Sequence, residues 1–497
     1  MLLALSFPQY GHPAPAWVAL VPLLVSLTSG RAPGAHRAFG LGLAAGAVYF
    51  GGTVYWTPQV MQTFGGLSWP IAVGAGVLLV AYLALYPALF AVITARLCAR
   101  LGPGALWLAP ATWVATELLR RWVLGGFPWV QLGSSQAGVI PIVQVVSLAG
   151  VYGLSAVVAL GSVGVTLFVN GRGRTRWAAP VVVAALVAGL AVWGTDRATD
   201  STLSRTGTPL RVAMVQGNVL QDEKWEPSIA PRILETYLEL TRRAAGQGAR
   251  LVVWPESSTP FYYEHDVLGN AAIRTTVRDT GVTLLFGSDQ YEAGSPPRYF
   301  NSAFVVRPDG STAGVYRKMH LVPFGEYVPL KRLLFFVSPL VENVSDFSPG
   351  TQAVVVPIAE GLVSTAICYE VVYPDLIARF VDGGSQLLTT ITNDAWYGRS
   401  SAPQQHFWQA SLRAVEQGRY LVRAANTGIS GIVDPYGRVV VRSPLFERGI
   451  FVGDVRLLHG RTFYGRTGDG FAYACLLAVA LAWAAVRGRA RAVPGSR

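Results

Sequence analysis

The first 194 residues are almost free of acidic side chains, and this limits the possible folds more than any other feature of the chain. Between Met1 and Gly194 the one carboxylate is Glu117, and apolar runs recur throughout. In water such runs would aggregate, whereas in lipid they form helices whose backbone polar groups pair within the segment. With a mean hydropathy of +0.39, the 497-residue chain is too apolar for an ordinary soluble protein.

Seven segments predict transmembrane helices. Residues 1–8 are apolar but too short to cross a bilayer, and we expect them to be a truncated first helix or to follow a start placed too far downstream, which leaves a count of seven or eight helices. The expected organisation is a membrane domain at 1–195, a soluble domain at 208–456, a last membrane helix at 468–486 and a basic tail at 487–497. The predicted spans lie near 13–29, 38–55, 69–97, 105–122, 140–169, 177–194 and 468–486.

Arginine placement predicts the orientation of the chain. Basic segments at 31–37, 96–100, 172–176 and 487–497 fall on alternate loops, and positive charge collects on the cytoplasmic face. The segment from about 196 to 467 is then expected in a bacterial periplasm or its equivalent. The net charge of +12 is mostly a topology signal. Nucleic-acid binding is not expected, because the soluble part has no basic stripe interleaved with aromatic residues.

The soluble segment alternates predicted strands and helices, which indicates a layered α/β domain with its catalytic groups at strand ends. A hairpin turn is predicted at 434–437, where the sequence reads Asp-Pro-Tyr-Gly. The predicted strands are 210–216, 250–254, 283–287, 302–307, 361–367 and 387–392, and the predicted helices are 229–245, 374–381 and 404–417.

Cys368 follows one of these strands and is the sole cysteine of the soluble segment. It has no partner for an intradomain disulfide, so an unpaired thiol in an oxidising compartment indicates a chemical role. We expect helix N-terminal amides to lower the pKa of its thiol. The alternative is a buried structural cysteine.

Glu256 ends another apolar strand, directly after Pro255. A poorly solvated carboxylate has a raised pKa, which suits it to take a proton from a thiol or an amine. A helix N-cap or an ordinary surface acid would also explain this residue.

Lys318 stands out because the chain otherwise uses arginine and has two further lysines, Lys224 and Lys331. A compact ammonium can approach a tetrahedral oxyanion as a point charge. The alternative for Lys318 is a solvated cation at a strand end. Glu326 and Glu370 could orient the lysine and the thiol, or could be ordinary ion-pair partners.

The glutamate, lysine and cysteine together resemble the Glu–Lys–Cys triad of the nitrilase (carbon–nitrogen hydrolase) superfamily. With the added membrane domain, the chain is similar to the apolipoprotein N-acyltransferase family. The supporting stretches are Gln216-Gly217-Asn218-Val219, Trp254-Pro255-Glu256, the run from His320 to Pro329, the run from Asn393 to Gly398, the run from Arg423 to Gly428, and Gly125-Gly126-Phe127-Pro128-Trp129.

This resemblance implies an α-β-β-α sandwich facing the periplasm from the bacterial inner membrane. It implies a two-step acyl transfer in which Glu256 deprotonates Cys368 and Lys318 stabilises the oxyanion. The implied acyl donor is a phospholipid, typically phosphatidylethanolamine. The implied acceptor is the N-terminal amine of the diacylglyceryl-cysteine of an apolipoprotein.

The resemblance also implies supporting roles for Glu326, Tyr369 and Glu370, and substrate contacts for Trp225 and Trp396 beside the lipid entrance. No cofactor is expected. A metal site is not expected either, because the sequence has no HExxH or CxxC motif. We expect a monomer.

Two further features carry expectations. Apolar patches at 261–263 and 333–337, in segments expected to be loops, would contact the bilayer or else pack on their own domain. Glu117 would pair with Arg121 one helical turn away, or help to hold a lipid headgroup. As alternatives to the acyltransferase, the same triad could serve a membrane-tethered amidase, or be incidental in a non-catalytic lipid-binding protein.

Overall fold

The computed structural model describes residues 1–30, 32–221, 223–224, 226–323, 325–327 and 347–491. The chain forms two compact units. Met1–Gln59, Ser68–Asp200 and Arg466–Arg497 make the first, and Val60–Leu67 with Ser201–Gly465 make the second.

The first unit is helical. Its helices are interrupted by short 3-10 turns, and the Gly-Gly-Phe-Pro-Trp stretch follows α6 as irregular chain. The α-helices of the N-terminal part, with α4 continuing into the second unit, are α1 (Leu2–Leu5), α2 (Val21–Thr28), α3 (Ala35–Thr53), α4 (Thr57–Thr63), α5 (Trp69–Leu101), α6 (Ala109–Trp122), α7 (Ile140–Val143), α8 (Val146–Asn170) and α9 (Ala178–Asp200).

Four helical segments of the described chain are long and apolar enough to cross a membrane, by length and composition: Trp69–Leu101, Val146–Asn170, Arg174–Arg205 and Gly470–Arg487. The pair α3 and α4, bent by 52°, makes a fifth if it is one span. The predicted spans near 13–29 and 105–122 hold shorter helical segments, Ala14–Thr28 and Ala109–Trp122.

Small residues let α3 and α5 pack closely. A Cβ added to Gly42 would lie 2.4 Å from the carbonyl oxygen of Pro87, and one added to Gly46 would lie 2.7 Å from Cα of Ala84. Close approach through small residues is the usual way in which membrane helices associate, because lipid gives no hydrophobic drive between them.

The buried charges of α6 pair differently from the prediction. Arg121 forms an ion pair with Asp469 rather than the predicted one with Glu117. Glu117 instead accepts hydrogen bonds from the Trp113 indole at 2.9 Å and from the Leu132 amide at 2.7 Å. The glutamate therefore ties α6 to the chain that follows the Gly-Gly-Phe-Pro-Trp stretch.

The second unit contains two six-stranded sheets, in the orders β12-β1-β2-β3-β4-β5 and β11-β10-β9-β8-β7-β6. Its strands are β1 (Thr208–Gln216), β2 (Leu251–Val253), β3 (Thr283–Glu292), β4 (Arg298–Val306), β5 (Thr312–Arg317), β6 (Val355–Ile358), β7 (Gly361–Ile367), β8 (Leu387–Thr392), β9 (Leu421–Ala425), β10 (Gly431–Val433), β11 (Val439–Arg442) and β12 (Gly449–Leu457).

Helices cover the outer face of each sheet, which completes the predicted α-β-β-α sandwich. The remaining helices of the chain are α10 (Thr202–Arg205), α11 (Ala230–Gly246), α12 (Val267–Thr280), α13 (Pro374–Asp382), α14 (Ala402–Gln417), α15 (Phe463–Thr467) and α16 (Gly470–Arg491). Residues of α11 and α12 pack on the first sheet in one apolar core, and α13 and α14 belong to the second. Strands β1, β2 and β3 are parallel, as are β7, β8 and β9, so their carboxyl ends meet at one edge of each sheet.

All six predicted strands and the hairpin are confirmed, with some bounds shifted. The strand predicted at 302–307 begins earlier, at Arg298. The elements of the second unit without a prediction include Thr202–Arg205, Val267–Thr280, Thr312–Arg317, Val355–Ile358, Leu421–Ala425, Gly449–Leu457 and Phe463–Thr467.

The aromatic patch at 261–263 packs mainly on its own domain. Tyr263 is buried in the core of the first sheet, and Phe261 packs against the same core. Tyr262 is 40% exposed. The expectation of bilayer contact is therefore wrong for Phe261 and Tyr263, because the core offers them enough apolar surface. The patch at 333–337 lies outside the described residues.

Candidate active site

Cys368 sits on a sharp turn between β7 and a short 3-10 helix, Cys368–Val372. Its φ of +53° is unfavourable for a residue with a side chain, and nucleophiles occur on such strained strand-to-helix turns. The His406 Nε2 atom lies 3.1 Å from the carbonyl oxygen of Cys368. Since a carbonyl only accepts, this nitrogen carries the proton, and the contact holds the turn in place.

The Cys368 thiol is protonated at rest. Burial raises its pKa well above the usual range and the Glu256 carboxylate raises it further, against the Lys318 ammonium and a hydrogen bond with Thr392. The expectation of a lowered pKa for Cys368 is therefore wrong, because burial outweighs the neighbouring donors. A thiol in this state needs a base.

Glu256 follows β2, and both oxygens of its carboxylate accept hydrogen bonds. Its Oε1 accepts from Asn301 Nδ2 at 2.8 Å and from Lys318 Nζ at 3.3 Å. Its Oε2 accepts from the backbone amide of Asn393 at 2.8 Å. No helix begins here, so the N-cap alternative does not apply, and a side chain that is 6% exposed is not a surface acid.

The pKa of Glu256 is lowered rather than raised. Burial raises it, but the Lys318 ammonium, the Asn301 amide, the Lys224 ammonium and the Asn393 amide together lower it by more. The expectation of a raised pKa is wrong because these four partners, all remote from Glu256 in sequence, outweigh burial. Glu256 is ionised at neutral pH and can accept a proton.

Lys318 follows β5 and is buried between two carboxylates. Its Nζ donates to Glu326 Oε1 at 2.7 Å and to Glu256 Oε1 at 3.3 Å. Burial lowers its pKa, but Glu326, Glu256 and Cys368 raise it by more, so the ammonium stays charged. At 1% exposure Lys318 is not the solvated cation of the alternative reading.

Glu326 orients this lysine from the other side. Its Oε1 accepts from Asn301 Nδ2 at 2.9 Å as well as from Lys318, and its Oε2 accepts from the Val322 amide at 2.8 Å. One Asn301 side chain thus bridges Glu256 and Glu326, which keeps two like charges at fixed positions around one ammonium.

Glu370 joins the lysine segment to the cysteine turn. Its Oε1 accepts from the Tyr316 hydroxyl at 2.7 Å and from the amides of Met319 at 2.6 Å and His320 at 3.0 Å. Its Oε2 accepts from the Ile367 amide at 2.8 Å. Burial raises the pKa of Glu370 to about 7 despite these four donors.

Of the remaining predicted residues, Tyr369 and Trp396 each contact another aromatic ring. Tyr369 is buried with its ring 5.3 Å from that of Tyr373. Trp396 is half-buried, with its ring 4.8 Å from that of Phe64, which lies in the Val60–Leu67 segment of the same unit. Trp225 lies outside the described residues.

Several residues of the site have no obvious signal in the sequence. Asn301 lies within β4 and Asn393 directly follows β8. Asp394 accepts from Arg423 at 2.9 Å and lies 3.1 Å from His406 Nδ1. The other ring nitrogen of His406 contacts the Cys368 carbonyl, so this pair supports the turn that carries the nucleophile. Asn393, Asp394 and Arg423 belonged to stretches recognised in the sequence, whereas Asn301 and His406 did not.

A buried thiol, an ionised carboxylate and a fixed ammonium within one polar cluster suit acyl transfer through a covalent thioester. Among the residues that the structure describes, no group of three or more His, Cys, Asp or Glu side chains could hold a metal ion.

Comparisons with known proteins agree across the chain. Residues 211–461 match the family model for carbon-nitrogen hydrolase, and residues 1–164 match that for the apolipoprotein N-acyltransferase N-terminal domain. The apolipoprotein N-acyltransferase of Geobacter metallireducens is 41% identical over 97% of this chain and 92% of its own length. That of Methylococcus capsulatus is 36% identical over 94% of this chain and 91% of its own.

A solved amidase of the nitrilase superfamily from Nesterenkonia sp. AN1 aligns with 54% of this chain and 97% of its own, at 21% identity and a TM-score of 0.42. The family resemblance drawn from the motifs is confirmed by the matches over nearly the whole length. The chain belongs to the apolipoprotein N-acyltransferase family.

Proposed function

We propose that this protein transfers an acyl chain from a phospholipid to the N-terminal amine of the diacylglyceryl-cysteine of apolipoproteins, through a thioester on Cys368. The observation that supports this most is the buried Lys318 ammonium, 3.3 Å from the Glu256 carboxylate and close enough to Cys368 for their charges to interact. It occurs in a chain whose N-terminal third matches the model for the N-terminal domain of the same family.

In the first step, the Cys368 sulfur attacks the ester carbonyl carbon while its proton passes to Glu256. The pKa directions require the two events to be coupled, because a free thiolate is disfavoured by burial. The developing negative charge on the carbonyl oxygen is stabilised by Lys318, whose charge is held by Glu256 and Glu326.

Collapse of the tetrahedral intermediate breaks the ester bond. The leaving alkoxide of the lysophospholipid takes the proton from Glu256, which returns to its ionised form. The products of this step are the Cys368 thioester and a lysophospholipid, and no proton is gained or lost overall.

In the second step, the neutral α-amine of the acceptor attacks the thioester carbonyl. Glu256 takes a proton from the amine and returns it to the departing sulfur of Cys368. This step releases the amide product and regenerates the free enzyme. Both half-reactions use the same base and the same oxyanion site, in ping-pong order.

Supporting roles follow from the contacts. Glu326 fixes the lysine and Glu370 fixes the spacing between the lysine and cysteine segments. Tyr369 lines the site next to the nucleophile. We assign Trp396, and Trp225 by family resemblance, to contacts with the lipid substrates.

The protein is a membrane protein, and the finer placement is part of the proposal. We propose the bacterial inner membrane, with residues 1–195 and 468–486 as membrane domains, 208–456 as the periplasmic catalytic domain and 487–497 as a cytoplasmic tail. Phosphatidylethanolamine is the proposed donor and the protein is proposed to act as a monomer. A membrane-tethered amidase is less well supported, since it gives the apolar helices no role.

Transfer to a synthetic diacylglyceryl-cysteinyl peptide tests the proposal. The purified full chain in detergent is mixed with phosphatidylethanolamine and the peptide, and the peptide mass is followed. We expect a gain of one acyl chain with the wild type and with the matched control Cys98→Ser, and none with Cys368→Ser. Acylation of the peptide by Cys368→Ser would overturn the proposal, as would release of ammonia from small amides without any transfer.

A further inference from the structure

Lys224 is a second buried lysine at the site, and the mechanism above does not use it. Its side chain is 4% exposed, and its Nζ donates to the backbone carbonyl oxygen of Glu256 at 3.1 Å. Its charge also interacts with Glu256, Asp289 and Cys368. The ammonium therefore lies at the acid–base cluster and within electrostatic range of the nucleophile.

The Lys224 ammonium has more N–H donors than there are acceptors bonded to it. An ammonium carries three N–H bonds, and among the described residues the Glu256 carbonyl is the single hydrogen-bond acceptor that Lys224 has. Asp289, the other carboxylate that interacts with it, accepts from Ser257 at 2.9 Å. A buried cation with unused donors is unfavourable unless an acceptor completes its shell.

The two lysines of the site differ in how they are held. Lys318 contacts two carboxylates, which fix its charge. Lys224 contacts a neutral carbonyl, and burial lowers its pKa to about 8, against the charges of Glu256, Asp289 and Cys368. A neutral donor would hold the Glu256 carbonyl equally well. The presence of a buried charge there points to a negatively charged partner.

We propose that Lys224 donates a hydrogen bond to an anionic oxygen of the acyl donor while Cys368 is acylated. The inference rests on the proposed function, which supplies such an oxygen in two places. One is the oxyanion that develops at the ester carbonyl, and the other is the phosphodiester of the phospholipid. Lys224 is then a catalytic residue, which supplies a second positive charge, besides that of Lys318, to the acyl donor.

Single-turnover acylation of Cys368 tests the inference with two donors, phosphatidylethanolamine and the phosphate-free p-nitrophenyl palmitate. We expect Lys224→Met to lower the acylation rate about 100-fold, the loss typical of one removed oxyanion donor. An equal loss with both donors assigns the oxyanion, and a loss confined to phosphatidylethanolamine assigns the phosphodiester. The matched control Arg243→Met removes an exposed cation from α11 of the same unit and should react as the wild type does.

The pH profile separates this role from a structural one. In the wild type, acylation should fall as the pH rises through about 8, because the Lys224 ammonium is present below its pKa and lost above it. Among the charged groups around it, Glu256 titrates at a lower pH, Asp289 at about 6 and Cys368 above the range tested. The limb near pH 8 should be absent from Lys224→Met and from the second variant, Lys224→Gln.

Three results would overturn the inference: acylation by Lys224→Met within threefold of the wild type, a variant that is slow yet keeps the falling limb near pH 8, or a wild-type rate that does not fall between pH 7 and 9. The last result needs no variant, so misfolding of both substitutions leaves the test intact. Failure of the wild type to be acylated by phosphatidylethanolamine would instead contradict the proposed function.

Discussion

Replacing Glu370 with glutamine tests whether one buried carboxylate sets the spacing between the lysine and the nucleophile. The carboxylate collects four donors, the Tyr316 hydroxyl and the amides of Met319, His320 and Ile367. Glutamine has the same shape but a single acceptor oxygen, so at least one donor must lose its partner.

The size of the effect follows from these contacts. If the glutamine oxygen keeps the three donors on the lysine side, the side-chain NH2 group faces the backbone N–H of Ile367, and both are donors. The buried Ile367 N–H then has no acceptor, which costs about 1–3 kcal/mol of stability. The remaining bonds also lose the assistance of the charge. The neutral amide, however, avoids the burial cost that raises the pKa of Glu370 to about 7, and this gain offsets the lost charge assistance. We therefore expect a net loss of about 1–3 kcal/mol at pH 8, from the unpaired amide, and hence a fall in Tm of about 2–12 °C.

The effect on the reaction should exceed the effect on folding. A shift of roughly 1 Å between a nucleophile and its electrostatic partner lowers a rate about 100-fold. Thermal unfolding and single-turnover acylation of Cys368 from phosphatidylethanolamine measure the two quantities on one preparation. The matched variant Tyr316→Phe removes one donor and keeps the carboxylate, so about 1 kcal/mol and a less than tenfold rate loss are expected. A Glu370→Gln protein with a Tm within 2 °C and a rate within threefold of the wild type would refute this role.

Two further predictions concern the supports of the site. Gly287→Ala should lower acylation at least tenfold with the circular dichroism spectrum unchanged, because the new Cβ would lie 2.5 Å from the Ser257 nitrogen and 2.7 Å from Glu256 Cα; wild-type acylation would contradict it. Asp394→Asn should lower the free energy of unfolding in denaturant by about 3–5 kcal/mol, since it leaves the Arg423 charge buried and unpaired. The pKa of Asp394 is about 2, below its ordinary 3.8, so its ionised form stabilises the fold above pH 3.8. The wild type should therefore lose about 2 kcal/mol as the pH falls from 4 to 2, and a wild type that loses no more than Asp394→Asn over that range would contradict this.

The sequence predicted the elements of the site better than their electrostatics. Glu256 and Cys368 each follow an apolar run that is long enough to be read as a strand, and each therefore lies at the carboxyl edge of the parallel strands of its own sheet. Lys318 was identified because lysine is rare in a chain that otherwise uses arginine. Its strand gave no signal, since Thr312–Arg317 has too few apolar residues for a strand to be predicted there.

The pKa directions of Glu256 and Cys368 were both predicted with the wrong sign. Each depends on partners that are remote in sequence, such as Asn301 for the carboxylate, and on a degree of burial that follows from the packing of the two sheets. No local pattern contains that information. The same reason explains Phe261, for which the sequence left both the bilayer and its own domain open as partners, and whose partly buried ring packs against the core of its own domain.

The most direct test of the account is the intact mass of the purified protein after incubation with phosphatidylethanolamine alone, without any acceptor. We predict one added acyl chain, mapped to Cys368, removed by neutral hydroxylamine and absent from Cys368→Ala. An unchanged wild-type mass, or an acyl chain that persists in Cys368→Ala, would contradict a thioester on this sulfur.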